Sequence, residues 1–243
     1  MLIRNTRDMV DENQGVKIVV YGEAGIGKTR LATTMPYSIL LSAEGGTPSL
    51  KNFDVDRGEV PNTLALKEAN GWLKSSEASQ YSTVIVDSIS KIGDFIFDEE
   101  KKNSPRDQRQ AYGETAARLI RLIDYYKTLT RFNVVLLARQ VRYEDGDKIK
   151  YTPDLPGKAA TNALLHTFDE AYALRQGKNQ EGKLVRYFQT APCTQYAAKS
   201  RSDSLNSKEP ADLYEIIYKI TGKFATDPAT DPTTESTTEE EAV

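Results

Sequence analysis

Residues 19–32 read VVYGEAGIGKTRLA. An apolar run stops at Gly22, Gly25 and Gly27 follow closely, and Lys28 and Thr29 come directly after. Glycines let backbone N–H groups turn inward onto a phosphate, a lysine neutralises phosphate oxygens, and the adjacent hydroxyl can ligate Mg2+. Gly22, Gly27, Lys28 and Thr29 fit the spacing G-x-x-x-x-G-K-[ST], with Gly25 as an additional glycine. A plain glycine-rich turn is the alternative. The context favours the cradle, because the pattern leaves a predicted strand and opens a predicted helix whose positive N-terminal end would also face a phosphate. Gly22, Glu23, Ala24, Gly25, Ile26, Gly27, Lys28, Thr29 and Arg30 are therefore the expected nucleotide-binding loop.

Working outward, short β-branched runs recur at VKIVVYG (16–22), SILLSAE (38–44), STVIVDS (82–88) and FNVVLLARQ (132–140). Their apolar residues are successive rather than alternating, as in strands buried on both faces. Helical periodicity lies between them: after Lys28, around 64–78, over 89–102, and most clearly over 112–129, where Leu119, Leu122, Ile123 and Tyr126 share a face. Strands alternating with helices predict an α/β fold, a mostly parallel central sheet with helices on both faces. After residue 165 the order changes. FDEAYALRQ and LVRYFQTA flank GKNQEGK and predict a hairpin, QYAAKSRSD offers a further short strand, and a last helix runs from about Asp212 to a stop at Gly222. This is an antiparallel C-terminal extension of the core.

The 243 residues are 39% hydrophobic and 28% charged, which suits one folded domain. No stretch approaches the roughly 18 apolar residues of a membrane helix, and the first residues lack a signal-peptide core, so a cytoplasmic location is expected. Cys193 and His166 are the only residues of their types, which excludes an internal disulfide, a cysteine-based metal cluster and almost all zinc or Ser/His chemistry. Trp72 and His166 are expected in or beside the core, and Cys193 as an inert, partly buried thiol. Residues 223–243 hold six acidic residues and one basic. With a net −3 overall and −5 there, residues 1–222 carry +2. The expected organisation is a domain over 1–222 and a disordered acidic tail over 223–243.

Asp87 ends the apolar run TVIVD, where a second acid should complete a Mg2+ site with Thr29. A strand-end Asp capping the next helix is the alternative. The residue after it is Ser88, not an acid, so a water-activating base must come from elsewhere. Here the sequence resembles RecA-type ATPases, which take a catalytic glutamate from the end of the preceding strand. The resemblance covers residues 15–222, through YGEAGIGKTRLA, AEGG, VDSIS, PDLPGKA, FDEAYAL and YAAKSRSD. It is closest to short, single-domain RecA-like proteins of bacteriophages, including recombination and single-strand annealing proteins. It implies a three-layer RecA-like P-loop core, ATP and Mg2+ as cofactors, Glu44 as general base and Gln140 as γ-phosphate sensor. Lys199 and Arg201, two apart on an extended segment and so pointing the same way, resemble the K-x-R finger that enters a neighbouring subunit's site. A homo-oligomer with sites between subunits is thereby implied.

The same resemblance places single-stranded DNA on the loop after Gln140. Arg142, Lys148, Lys150 and Lys158 are candidates for phosphates there, with Tyr143 and Tyr151 as stacking platforms. Glu144, Asp145, Asp147 and Asp154 offset much of that charge, and a solvated loop fits the residues equally well. A single-stranded-DNA-binding protein is a further expected partner. Recombination or annealing on single-stranded DNA is one function. A nucleotide-switched scaffold with little hydrolysis is the alternative, and an AAA-type motor is disfavoured because strands, not a helical lid, follow residue 165.

Overall fold

The computed structural model describes residues 14–223 except Gly46 and Arg106, so the acidic tail expected over 223–243 lies almost wholly outside the described residues. The elements follow the alternating order: β1 (Lys17–Gly22), β2 (Ser38–Ser42), β3 (Asp56–Glu59), α1 (Thr63–Trp72), β4 (Thr83–Asp87), α2 (Ile89–Asn103) and α3 (Gln108–Thr128). Then come β5 (Asn133–Asp145), β6 (Lys148–Pro153), α4 (Lys158–Thr167), β7 (Glu170–Lys178), β8 (Leu184–Gln189), β9 (Lys208–Pro210) and α5 (Leu213–Thr221).

The sheet runs β3-β2-β4-β5-β1-β7-β8-β9, with β6 paired to the outer part of β5. Strands β1 to β5 and β7 pair in parallel, whereas β8, β9 and β6 pair antiparallel. The expected α/β class and the antiparallel extension are both present. The unbroken apolar runs are explained by burial on two faces. Val19 and Tyr21 of β1 join Val134, Leu136 and Ala138 of β5 in one cluster with α1 to α4. Ile18 and Val20 join Val135 and Leu137 in the opposite cluster, covered by α5 and the segment after the P-loop. Leu119, Ile123 and Leu164 are fully buried, each worth about 2 kcal/mol in removed apolar surface.

Several expectations are corrected. The segment after Lys28 is a 3₁₀ run, Thr29–Thr34, not an α-helix. Its β-branched threonines turn their hydroxyls back on the chain, Thr33 to the Arg30 carbonyl and Thr34 to the Leu31 carbonyl, and Pro36 lies just beyond. The helix read to residue 78 ends at Trp72, followed by a short 3₁₀ turn at Ser76–Gln80. The loop expected after Gln140 is instead a β5–β6 hairpin, turned at Gly146 with φ 60°, which a glycine at the first central position accommodates. QYAAKSRSD forms only isolated bridges, Tyr151 with Tyr196 and Ala171 with Lys199. His166 and Cys193 are exposed, not packed, while Trp72 is half-buried against the core. His166 falls off the buried stripe Ala160, Thr161 and Leu164 of α4. No helix among the described residues is long and apolar enough to cross a membrane.

Candidate nucleotide site

Parallel pairing brings the ends of four strands to one edge of the sheet. β5 lies between β1 and β4, with Gly22 opposite Arg139 and Leu137 opposite Asp87. β2 lies beside β4, with Ser42 opposite Asp87. The Ala43 amide then donates to the Asp87 carbonyl at 2.6 Å, and the Glu44 amide to the same oxygen at 3.3 Å. The P-loop, Asp87, Glu44 and Gln140 are thus gathered by the register.

Lys28 is only 8% exposed, and its Nζ donates to the Gly22 and Glu23 carbonyls, each at 2.9 Å. Burial pushes its pKa down, while Glu44 and Asp87 pull it back up. No side-chain carboxylate lies within ion-pair distance of Lys28 among the described residues. The Thr29 hydroxyl donates to Asp87 Oδ2 at 2.5 Å. Asp87 Oδ1 is buried with no hydrogen-bond partner among the described residues. Burial raises the Asp87 pKa, with the Thr29 bond and Lys28 opposing. A buried carboxylate oxygen without a partner costs free energy, and beside a hydroxyl it is the donor set that suits Mg2+, which takes one or two protein oxygens and completes its shell from phosphates and water. The residues therefore fit the ion. Among the described residues no group of three His, Cys, Asp or Glu side chains is arranged to hold a metal.

Glu44 is exposed, and its Oε1 accepts from the Ser88 hydroxyl. The same hydroxyl caps α2 by accepting from the Lys91 amide at 3.2 Å, using the donor and acceptor capacity of one oxygen. The Asp87–Ser88 peptide is cis. Gln140 Nε2 faces Glu23 Oε1 at 3.5 Å. Next to it Arg139 makes two bonds of 2.9 Å to Asp94 and lies 3.5 Å from Asp154. Those partners raise its pKa, Asp94 foremost.

Lys199 and Arg201 do not join this edge. They do point the same way, toward the end of α4 and the start of β7, as their spacing implied. Lys199 Nζ donates to the Leu165 carbonyl at 2.5 Å, and Arg201 binds Asp169 at 2.7 Å and the His166 carbonyl at 3.3 Å. Glu170, opposite Ile18 at the beginning of β1, holds the Arg201 and Ser202 amides at 3.1 and 3.2 Å. From Ile18 to Gly22 is about 13 Å along the strand, so these cations sit toward the opposite end of the molecule. The DNA candidates are likewise spread. Register puts Tyr143, Lys148 and Lys150 on one face of the hairpin and Arg142 and Tyr151 on the other. Tyr143 is exposed, whereas Tyr151 stacks on Tyr196 with centroids 4.8 Å apart. Lys150 pairs with Asp145 and Arg142 with Glu144. Lys158 opens α4.

Two neighbours of the P-loop carried no sequence signal. Arg30, the loop's last residue, lies over the exposed ring of Phe53, 5.2 Å from its centroid. Arg186 of β8 reaches the Gly27 carbonyl at 3.3 Å.

An α/β sheet with a glycine loop, a buried lysine and a Thr–Asp pair at its strand ends defines a P-loop nucleotide-binding domain. Residues 14–202 match the AAA domain family, and the chain belongs to it. No curated protein matches the chain. Similar solved structures include a KaiC-like protein from the hyperthermophilic archaeon Pyrococcus horikoshii, at 13% identity and a TM-score of 0.46, covering 76% of this chain and 83% of that one. Another is the RadB recombinase, at 15% identity and a TM-score of 0.44, covering 73% of this chain and 89% of that one.

Proposed function

We propose that the protein binds ATP with Mg2+ at the P-loop, hydrolyses it, and acts on single-stranded DNA as a homo-oligomer in recombination or annealing. The observation that carries the nucleotide part is the pairing of a buried Lys28, bonded only to carbonyls, with a buried Asp87 oxygen that has no partner. Both are incomplete in a way that a phosphate chain and its cation would complete. Lys28 exchanges its carbonyls for phosphate oxygens, since a full negative charge attracts the ammonium more strongly than a carbonyl dipole does. Thr29 and Asp87 would hold Mg2+, which would neutralise charge on the phosphate oxygens. The exposed Phe53 ring beside Arg30 is a platform for the base.

Glu44 accepts the proton of the attacking water, and Ser88 fixes the carboxylate's orientation by its hydrogen bond. Gln140, between the P-loop and the hairpin, is placed to relate the phosphate end of the site to the DNA face. On that face Tyr143 with Lys148 offers a stacking ring and a cation, the combination single strands use. Tyr151 is withdrawn by its stack on Tyr196. Because Lys199 and Arg201 lie away from their own P-loop, only a second copy set head to tail could bring them to a nucleotide, a heterologous contact that generates rings or filaments. The alternative, a nucleotide-switched scaffold with little hydrolysis, is favoured by Arg201 being held by its own chain's Asp169.

The test is ATP turnover per subunit, measured with and without single-stranded DNA over a range of protein concentration. The proposal expects turnover to rise with both. Nucleotide binding with no turnover under any of these conditions favours the scaffold.

A further inference from the structure

Lys28 holds the beginning of the P-loop, through the Gly22 and Glu23 carbonyls; its end is held by a different cation, from a distant strand. Arg186 is half-buried on β8, opposite Gln176 of β7. Its guanidinium lies against Gly27 so closely that a Cβ on Gly27 would come within 2.2 Å of Nη1 and 3.3 Å of Cζ. Gly27 also has φ 99°, a backbone conformation that requires glycine, and the guanidinium occupies the space a side chain would take. The Gly27 carbonyl would, in an α-helix, accept from the amide four residues on. Here the Leu31 amide goes to the Lys28 carbonyl at 2.9 Å, and Arg186 takes the Gly27 oxygen.

That contact is weak. At 3.3 Å it exceeds the usual 2.7–3.2 Å of such bonds, and it is the guanidinium's one hydrogen bond among the described residues. No carboxylate lies within ion-pair distance of Arg186 among them either. A half-buried guanidinium with five donors, one long bond and no anion is set for an anion, and the P-loop is the element it touches. The geometry points to Arg186 as a second phosphate-binding cation, supplied by the same chain, that exchanges the Gly27 carbonyl for an oxygen of the nucleotide's phosphate chain. This rests on the P-loop binding nucleotide and adds a residue to that site which no local motif marks. A forked guanidinium is suited to phosphate because two of its N–H groups can bond at once. It also makes β8, and hence the β7–β8 hairpin, responsive to whether the loop is filled.

The experiment is calorimetric titration of wild type, Arg186→Gln and Arg186→Lys with ATP and ADP in the presence of Mg2+, together with thermal melts of each protein without nucleotide. Glutamine keeps a polar side chain able to donate hydrogen bonds and removes the charge. Arg186→Gln should bind both nucleotides about tenfold or more weakly, the scale of one charge-assisted bond, with a melting temperature near that of wild type. Arg186→Lys should recover part of the affinity. Wild-type affinity in Arg186→Gln would overturn the inference and leave Arg186 as a brace for the loop. If Arg186→Gln melts markedly lower, Arg186→Lys decides: equal loss in both variants assigns the residue a structural role and overturns the inference. Failure of the underlying reading has a different signature, since wild type itself would then show no nucleotide binding.

Discussion

Lys28 and Arg201 are two cations assigned to the same phosphate chemistry, yet the chain holds them in opposite ways. Lys28 is buried and bonded to carbonyl oxygens, with no carboxylate of its own. Arg201 has a side chain 52% exposed and an ion pair to Asp169. The first is already desolvated and oriented, so a phosphate has only neutral carbonyls to displace and no ion pair to break. The second must surrender a partner before it can serve another subunit. A site on one side of the subunit is therefore preorganised, and its complement on the other side is restrained.

Four substitutions probe this contrast, in order of expected effect. Replacing Glu44 by Gln removes the proposed base but not the cradle, so turnover should fall by roughly two orders of magnitude or more with ATP still bound. Unchanged turnover would move the base elsewhere. Arg201→Ala should lower turnover by about tenfold or more, within the range of single charge-stabilising groups, only where the protein is assembled. Mixed with Lys28→Ala subunits, once co-assembly is verified, it should recover part of the activity, because some interfaces then pair an intact loop with an intact finger. Wild-type turnover of both Arg201→Ala and Lys199→Ala in the oligomer would remove the finger. Asp169→Ala should raise turnover by about two- to threefold, since an exposed ion pair is worth about 0–1 kcal/mol; a decrease would show that Asp169 positions Arg201 rather than restrains it. Asp87→Asn should raise the melting temperature of the nucleotide-free protein by a few degrees. The sign follows from burial, which lifts the folded Asp87 pKa above its unfolded value. Its ionised form is therefore penalised in the folded state, and stability falls as pH rises through that window. A lower melting temperature would mean that its bond to Thr29 outweighs the burial.

The same contrast describes what the sequence revealed. The P-loop edge is legible because strands buried on both faces leave unbroken apolar runs, and these runs lead to candidate site residues: Gly22, Asp87, and Gln140 within β5. The hairpin after Gln140 has a signal in the sequence, a Gly146–Asp147 turn with Val141, Tyr143, Ile149 and Tyr151 alternating along its two strands. The exposure of His166 could also have been read from its place off the apolar stripe of α4. The 3₁₀ run after the loop was less accessible, because it depends on hydroxyls bonding back to the chain and on Arg186, 159 residues away, taking the Gly27 carbonyl. Phe53 beside Arg30 and Asp169 beside Arg201 are contacts of the same kind. They arise from strand order, which no local pattern encodes.

The central claim is that the edge formed by β1, β2, β4 and β5 is a nucleotide site built on Lys28. Titrating wild type and Lys28→Ala with ATP in the presence of Mg2+, with thermal melts to establish that both are folded, tests it most directly. The account predicts saturable binding by wild type and a loss of about two orders of magnitude or more in Lys28→Ala, from removal of a buried cation with no nearby substitute at the start of the loop. Equal affinity in the two folded proteins, or no binding by wild type, would contradict it.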